Sequence, residues 1–486
     1  MKKVSIIILL TLFFYTISFS QQKNTSQIIK RIETYLTEIE KVGFSGTVLV
    51  ELDGKNIISK GYGFRNLELK ERNTTNTIYD IGSLTKQFTA SAILKLEMQG
   101  KLKTSDTITR YFQNVPADKA SITIHDLLRH QSGLPSGVGN DYDSISDADF
   151  IETVMKAPLQ FPIGTDFLYS NVGYSLLALI IEKVSAQTYE QYLYENLWKL
   201  AGMETTGYSR PRFNTDLIAI GYRRYDSVWG KPTSKNWNGN EPYLNLKGNG
   251  GILSTTEDLY KWNKALTTDN ILSKEAKEKL YHPKIRANEN EKAYYAYGWD
   301  VSKTDRNTIR VWHNGANNIF YADFMRFIDE KTTLIMMSNK SNPGIDNLNF
   351  ELSKIIFEKN YKPIIPVADN ETNQKFSQEI IEIVLSKGLE EAKLKYKSRP
   401  SETNILEYDL INKGYELLSQ NKYDDAIGIF TMNSIAYPKS FYAFESLGEA
   451  YMNKGDKVSA IKNYEKSLQL DPTNENAEDM IKKLKQ

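Results

Sequence analysis

Ser83-Leu84-Thr85-Lys86 sets a hydroxyl and an amine three residues apart, at the head of a segment whose apolar Phe88, Ile93 and Leu96 keep helical spacing. If Ser83 opens that helix, the two side chains lie one turn apart on one face. A serine hydroxyl is a weak nucleophile at neutral pH and needs a base within hydrogen-bond reach. Lysine becomes that base only when burial or a second cation lowers its pKa. The positive end of a helix also favours negative charge developing on the oxygen. Neither string is rare. Ser-x-x-Lys recurs at Ser419–Lys422 and Ser459–Lys462, where a solvated helix face accounts for it, and Tyr-x-Asn occurs at Tyr169 but also at Tyr194, Tyr243 and Tyr451. Order and surroundings set the first copies apart. Tyr79-Asp80-Ile81-Gly82 leads into Ser83, and Tyr169-Ser170-Asn171 lies between Phe161-Pro162-Ile163-Gly164 and Gly173-Tyr174-Ser175-Leu176-Leu177. The chain's only His-x-Gly, His313-Asn314-Gly315, ends a strand-like run.

The elements that must bring these pieces together are legible in outline. Ile28, Ile29, Ile32, Tyr35, Leu36 and Ile39 predict an amphipathic helix over 27–42. Asp53-Gly54 between the runs 46–51 and 56–59 predicts a hairpin. From about Ser83 to Thr256 the pattern is mostly helical, broken by Gly, Pro and Asn loops. Strand-like runs return at 296–301, 308–313, 320–327 and 333–337, and a helix is expected over 345–358. Strands near both ends with helices between imply one sheet assembled from distant parts of the chain, with a helical region inserted.

With these motifs in place, the sequence resembles the serine β-lactamase and penicillin-binding-protein superfamily, in its branch of class C β-lactamases, D-alanyl-D-alanine carboxypeptidases and related esterases. The likeness covers roughly residues 27–360 and includes His130-Gln131-Ser132-Gly133-Leu134, Gly250-Gly251-Ile252-Leu253-Ser254-Thr255 and Tyr297-Gly298-Trp299. It implies an α+β fold: a mostly antiparallel sheet flanked by helices, with an inserted helical subdomain. It implies that Ser83 forms an acyl-enzyme, that Lys86 and Tyr169 share proton transfer, and that Asn171 binds the substrate amide and helps hold Lys86. The oxyanion would lie between the backbone N–H groups of Ser83 and Ala316, next to His313 and Gly315. Two departures stand out. His313 occupies a place where many relatives have lysine, which weakens a fixed positive charge for a substrate carboxylate. Ile319 occupies a place where relatives commonly have glycine, and its bulk is expected to narrow the acyl pocket.

Composition bounds the rest. At 486 residues the chain is too long for a single core. Lys and Arg number 61 against 60 Asp and Glu, which predicts no polyanion-binding surface and removes nucleic acid as a default partner. Lys2, Lys3 and the apolar run to Phe14, followed by Ser18 and Ser20, predict a cleavable leader over 1–20, too short to span a bilayer. An exported protein, periplasmic or secreted, is therefore expected, with no integral membrane segment after cleavage. Cysteine is absent, so disulfides, thiolate metal sites and a cysteine nucleophile are excluded. The four histidines, His125, His130, His282 and His313, form no His-x-x-x-His pair, so no metal or other cofactor is expected, and packing or surface roles are predicted for the first three. Gly-x-Ser-x-Gly does not occur. The acidic stretch Asp141 to Glu152 reads as a helix start capped by Ser146, with Asp149 three residues on.

After Lys362-Pro363-Ile364-Ile365-Pro366 the character changes. Gly414 and Gly448, Ala426 and Ala460, Phe430 and Tyr464, and Pro438 and Pro472 are each 34 residues apart. That period resembles the tetratricopeptide repeat, a helix-turn-helix unit that buries its apolar face by stacking. Two units need support, which helical segments over 374–397 and 476–485 are expected to give. The predicted organisation is a leader over 1–20, a catalytic domain over 21–362, a linker and helical segment over 363–403, and repeats over 404–486. The repeats could bind a protein partner or dock on the catalytic domain. The expected function is an exported serine hydrolase acting on an ester, a small peptide or D-amino-acid amide, or a β-lactam. The rival is a non-catalytic scaffold that binds cell-wall peptide or a protein through its repeats.

Overall fold

The structure, a computed structural model, describes residues 25–282, 285–286, 293–342, 345–471 and 474–485. The expected leader and Pro472 lie outside the described residues.

Helix α1 covers 25–41, followed by the hairpin β1 (Gly46–Leu52) and β2 (Lys55–Tyr62). Asp53 and Gly54 both take positive φ at its turn, as a tight hairpin demands. The inserted region holds two long helices, α2 (Thr85–Met98) and α3 (Asn171–Ser185). Strands β3 (Ala293–Tyr295), β4 (Asp300–Lys303), β5 (Ile309–Ala316), β6 (Tyr321–Phe327) and β7 (Thr332–Ser338) follow, then α4 (Leu348–Phe357). In the main sheet these strands run in the order β2-β1-β7-β6-β5-β4-β3, antiparallel throughout. The central pairing joins distant parts of the chain, with Gly46 opposite Ser338 and Val50 opposite Leu334. This is the mostly antiparallel α+β arrangement the sequence implied.

Alternation explains why both faces of the sheet are covered. Val48, Val50, Leu334 and Met336 pack with Ile32, Leu36 and Ile39 of α1 and Leu348 and Leu352 of α4. Their neighbours Leu49, Ile335 and Met337 join the larger core under the inserted helices. Successive side chains of a strand point to opposite faces, so one run feeds two cores. Helix α2 is buried on nearly every side from Thr85 to Leu94, and α3 from Val172 to Ile181. Such helices belong in the interior rather than at the surface.

One expected strand is different. Only Asp300 and Val301 of the run 296–301 are strand, the start of β4; residues 296–299 form the turn between β3 and β4, closed by Ala296 N–H donating to Trp299 O at 2.7 Å. Gly298 sits there at φ +72°, and a Cβ on it would lie 2.8 Å from the carbonyl carbon and oxygen of Lys86. The turn must hold glycine because it packs on the backbone of α2. The Ser146 cap is present, its Oγ accepting from Asp149 N–H at 3.1 Å.

The chain divides into two compact units, the second made principally of Pro366–Gln486. This unit carries the helices Glu371–Lys387, Leu389–Lys397, Glu407–Ser419, Tyr423–Ala436, Phe441–Lys454, Lys457–Leu470 and Glu475–Lys485. The segment expected as one helix over 374–397 is two, broken at Gly388 with φ +92°. The period of 34 has a direct cause. A Cβ on Gly414 would meet the Phe430 ring at 2.3 Å, and one on Gly448 would meet the Tyr464 ring at 3.2 Å. Each repeat thus seats an aromatic ring on a bare helix backbone, while Ala426 and Ala460 are fully buried.

Candidate active site

Ser83 lies in the single 3₁₀ turn Gly82–Leu84 that leads directly into α2, so Lys86 follows in the first turn of the helix. Lys86 Nζ is 3.0 Å from Ser83 Oγ. It also donates to Asn171 Oδ1 at 2.8 Å and to the carbonyl of Asn249 at 3.0 Å. Asn171 reaches Lys86 because it is the first residue of α3, whose start is fixed by Ser170: Oγ accepts from Gly173 N–H at 3.1 Å and donates to Pro135 O at 2.8 Å. Burial holds the fully enclosed Lys86 ammonium well below the ordinary lysine value, with the Asp141 carboxylate the smaller, opposing cause.

Tyr169 completes the group. Lys86 Nζ sits 4.6 Å from the centre of its ring. Burial pushes the phenol pKa well above its usual range, opposed by a hydrogen bond with Ser83. The ring is held by its neighbours, 4.4 Å from His130 and 5.9 Å from Tyr295 between centroids.

Two glycines bring the proposed oxyanion donors together. Gly82 takes φ +49°, and a Cβ on it would lie 2.6 Å from Ala316 N. A Cβ on Gly315 would lie 2.0 Å from Ile81 O and 2.6 Å from Ser83 N. The Ser83 turn and the end of β5 are therefore in direct backbone contact, a distance only glycine permits. Ser83, Lys86, Tyr169, Asn171, His313, Gly315 and Ala316 all converge here from three separate stretches of chain.

His313 is buried, and its Nε2 is 3.1 Å from the Tyr295 hydroxyl. Nδ1 faces the Asn314 carbonyl and so must carry the proton, which leaves Nε2 to accept from Tyr295. Burial first, then Lys86, pushes its pKa down to about 3, with the Asn314 contact opposing. The imidazole is neutral at pH 7 and supplies no fixed charge. Ile319 is buried in the main core, where Gly221 makes room for it: a Cβ on Gly221 would lie 2.7 Å from Ile319 Cγ2.

A family model for β-lactamase matches residues 31–354. The chain belongs to the β-lactamase family. A tetratricopeptide-repeat model matches residues 441–474. Penicillin-binding protein 4* of Bacillus subtilis is 32% identical over 327 residues, 64% of this chain and 72% of that protein. The crystal structure of a penicillin-binding protein from Bacillus halodurans is similar with a TM-score of 0.54 at 26% identity, covering 65% of this chain and 97% of that one. A β-lactamase/D-alanine carboxypeptidase from Pseudomonas syringae matches with a TM-score of 0.58 at 15% identity, over 69% of this chain and 99% of that one, a likeness of fold.

For this β-lactamase-family chain, sequence reasoning did not single out four site neighbours. His130 was expected to pack or to sit at the surface. It packs, but against Tyr169 and Tyr295, and its Nδ1 accepts from Ser170 N–H at 2.9 Å. The signal lies in His130-Gln131-Ser132-Gly133-Leu134, a string that marks the family likeness without saying what His130 touches. Tyr295 and the Asn249 carbonyl were invisible because a ring edge and a backbone oxygen leave no mark in a string of residues. Asp80 stood beside the Ser83 motif without a partner to give it meaning. Among the described residues no group of three His, Asp or Glu side chains could hold a metal, and no helix is long and apolar enough to cross a membrane.

Proposed function

We propose that the protein is an exported serine hydrolase that cleaves an ester or a small peptide or D-amino-acid amide through an acyl-enzyme on Ser83. The observation that carries this reading is the set of neighbours around Lys86 Nζ. A neutral lysine amine has two N–H groups and one lone pair. The Asn171 and Asn249 oxygens can only accept, so they take the two hydrogens, and the lone pair is left for the Ser83 O–H. The lowered pKa of Lys86 supports the same assignment.

In acylation Ser83 Oγ attacks the carbonyl carbon as its proton passes to Lys86. The N–H groups of Ser83 and Ala316 take the tetrahedral oxyanion. The bond to the leaving oxygen or nitrogen then breaks, and that atom receives the proton Lys86 took, relayed through Tyr169, whose raised pKa keeps it a phenol and which returns Lys86 to the neutral amine. Water repeats the sequence on the acyl-enzyme, with Lys86 accepting its proton, and releases the acid and free Ser83. Asn171 holds Lys86 and is available to a substrate amide. A neutral His313 beside Gly315 offers no cation to a substrate carboxylate, which favours esters and amides that lack one over β-lactams.

A fluorophosphonate probe followed by intact-mass measurement tests the reading. One adduct on Ser83, lost in Ser83→Ala, is expected; a wild-type protein that stays unlabelled and leaves nitrophenyl esters, D-alanyl peptides and nitrocefin intact is the scaffold alternative.

A further inference from the structure

We propose that Asp80 and Asn317 form a bridge that keeps the two halves of the oxyanion site in register, making both of them positioning residues for acyl transfer. The inference rests on the hydrolase reading above. Asp80 Oδ1 accepts from Gly82 N–H at 2.8 Å, and Oδ2 accepts from Asn317 Nδ2 at 2.9 Å. One carboxylate therefore grips the turn that presents Ser83 and the turn that follows Ala316, across 237 residues of sequence.

Neither partner is free to turn away. Asn317 Oδ1 accepts from Phe320 N–H at 2.8 Å and Ile319 N–H at 3.2 Å, which fixes its Nδ2 toward Asp80. The backbone of Asp80 pairs with Leu253, and Ile81 N–H donates to Ile252 O at 2.9 Å. The carboxylate thus stands on a paired strand rather than on a loose loop. Its burial pushes its pKa up to about 6, yet it is ionised at pH 7. Keeping a buried charge where a neutral group would pack with less desolvation points to a role other than stability. That role follows from geometry. Oxyanion donors act only when both lie about 2.7–3.1 Å from the developing charge, and here one proposed donor belongs to the Ser83 turn and the other to the end of β5, just before the turn that holds Asn317. Joining the turns fixes the distance between them before the substrate arrives.

The bridge has a polarity that can be reversed. Asp80→Asn sets two NH₂ groups face to face, and Asn317→Asp sets two carboxylates face to face. Making both changes exchanges donor and acceptor while leaving acceptors for the N–H groups of Gly82, Ile319 and Phe320. The test is single-turnover acylation of full-length protein by nitrophenyl acetate. Each single variant is expected to lower the acylation rate constant by roughly 30-fold or more, with the half-saturating substrate concentration moving less than about threefold. The double variant is expected to recover to within about fivefold of wild type. An active wild type whose single variants stay within about threefold of it overturns the inference alone, as does a double variant no faster than the slower single. If a single variant fails to fold, the recovery of the double still decides, since only a reciprocal bridge rescues it. An inactive wild type overturns the hydrolase reading and this inference together.

Discussion

Lys86 and His313 are both buried bases whose pKa values are lowered by desolvation, yet they predict different pH behaviour. In the proposed mechanism the working form of Lys86 is the neutral amine. Activity should therefore fall as pH drops through its folded pKa, and the acid limb of kcat/KM for a nitrophenyl ester should lie well below the ordinary lysine value of 10.5. Lys86→Ala should lower the rate by about 10³-fold, with the circular dichroism spectrum unchanged; a near-normal rate would remove Lys86 from the chemistry. His313, with a pKa of about 3, stays neutral between pH 5 and 8, so His313→Gln should leave the shape of the profile in that range unchanged, whatever its effect on rate. A new inflection near neutrality, or the loss of one, would show that the imidazole titrates there. The residues that could be named from the sequence were those whose chemistry is local. Ser83 and Lys86 share one helical turn, and Tyr169 and Asn171 flank one cap. Asp80 and Asn317 could not be paired that way, because an aspartate and an asparagine 237 positions apart carry no mark of their hydrogen bond.

At the level of elements, the backbone contact between the Ser83 turn and β5 is the most exacting feature. Gly315→Ala would put a methyl group 2.0 Å from Ile81 O, and the Ile81 backbone is tied down by its N–H bond to Ile252 O at 2.9 Å. The expected result is a loss of acylation of roughly 10²-fold or more and a destabilisation of about 1–3 kcal/mol, read by ester hydrolysis and a thermal melt. A variant with native rate and melting temperature would place the two segments further apart. The late strands were legible because 320–327 and 333–337 are mostly apolar runs of strand length. Their exact partners were not, since β1 pairs with β7 across nearly the whole catalytic region. The first four residues of the run 296–301 turn instead of extending, for a simpler reason. Its alternating apolar residues look like a strand, but Gly298 is there to turn tightly against α2, and only the packed structure reveals that neighbour.

Across the whole molecule, the two units have separate cores. Val48, Leu49, Phe324 and Ile335 serve the first, while Ile380, Ile429 and Phe430 serve the second. A chain ending after Ile365 should therefore stay soluble and hydrolyse esters at close to the full-length rate; insoluble or inactive protein would show that the repeats are needed for folding. The repeat was visible as a period because each glycine–aromatic pair recurs with the register of one helical hairpin, whereas the helices before it lack that spacing. The pairing of Gly46 with Ser338 has a further consequence for how the enzyme comes into being. During synthesis the proposed nucleophile emerges hundreds of residues ahead of the strand that carries the proposed second oxyanion donor, and β1 waits even longer for its partner. A nascent or prematurely ended chain that stops short of β5 carries Ser83 without the proposed Ala316 donor, so its hydrolytic activity is expected to await the late strands rather than the nucleophile.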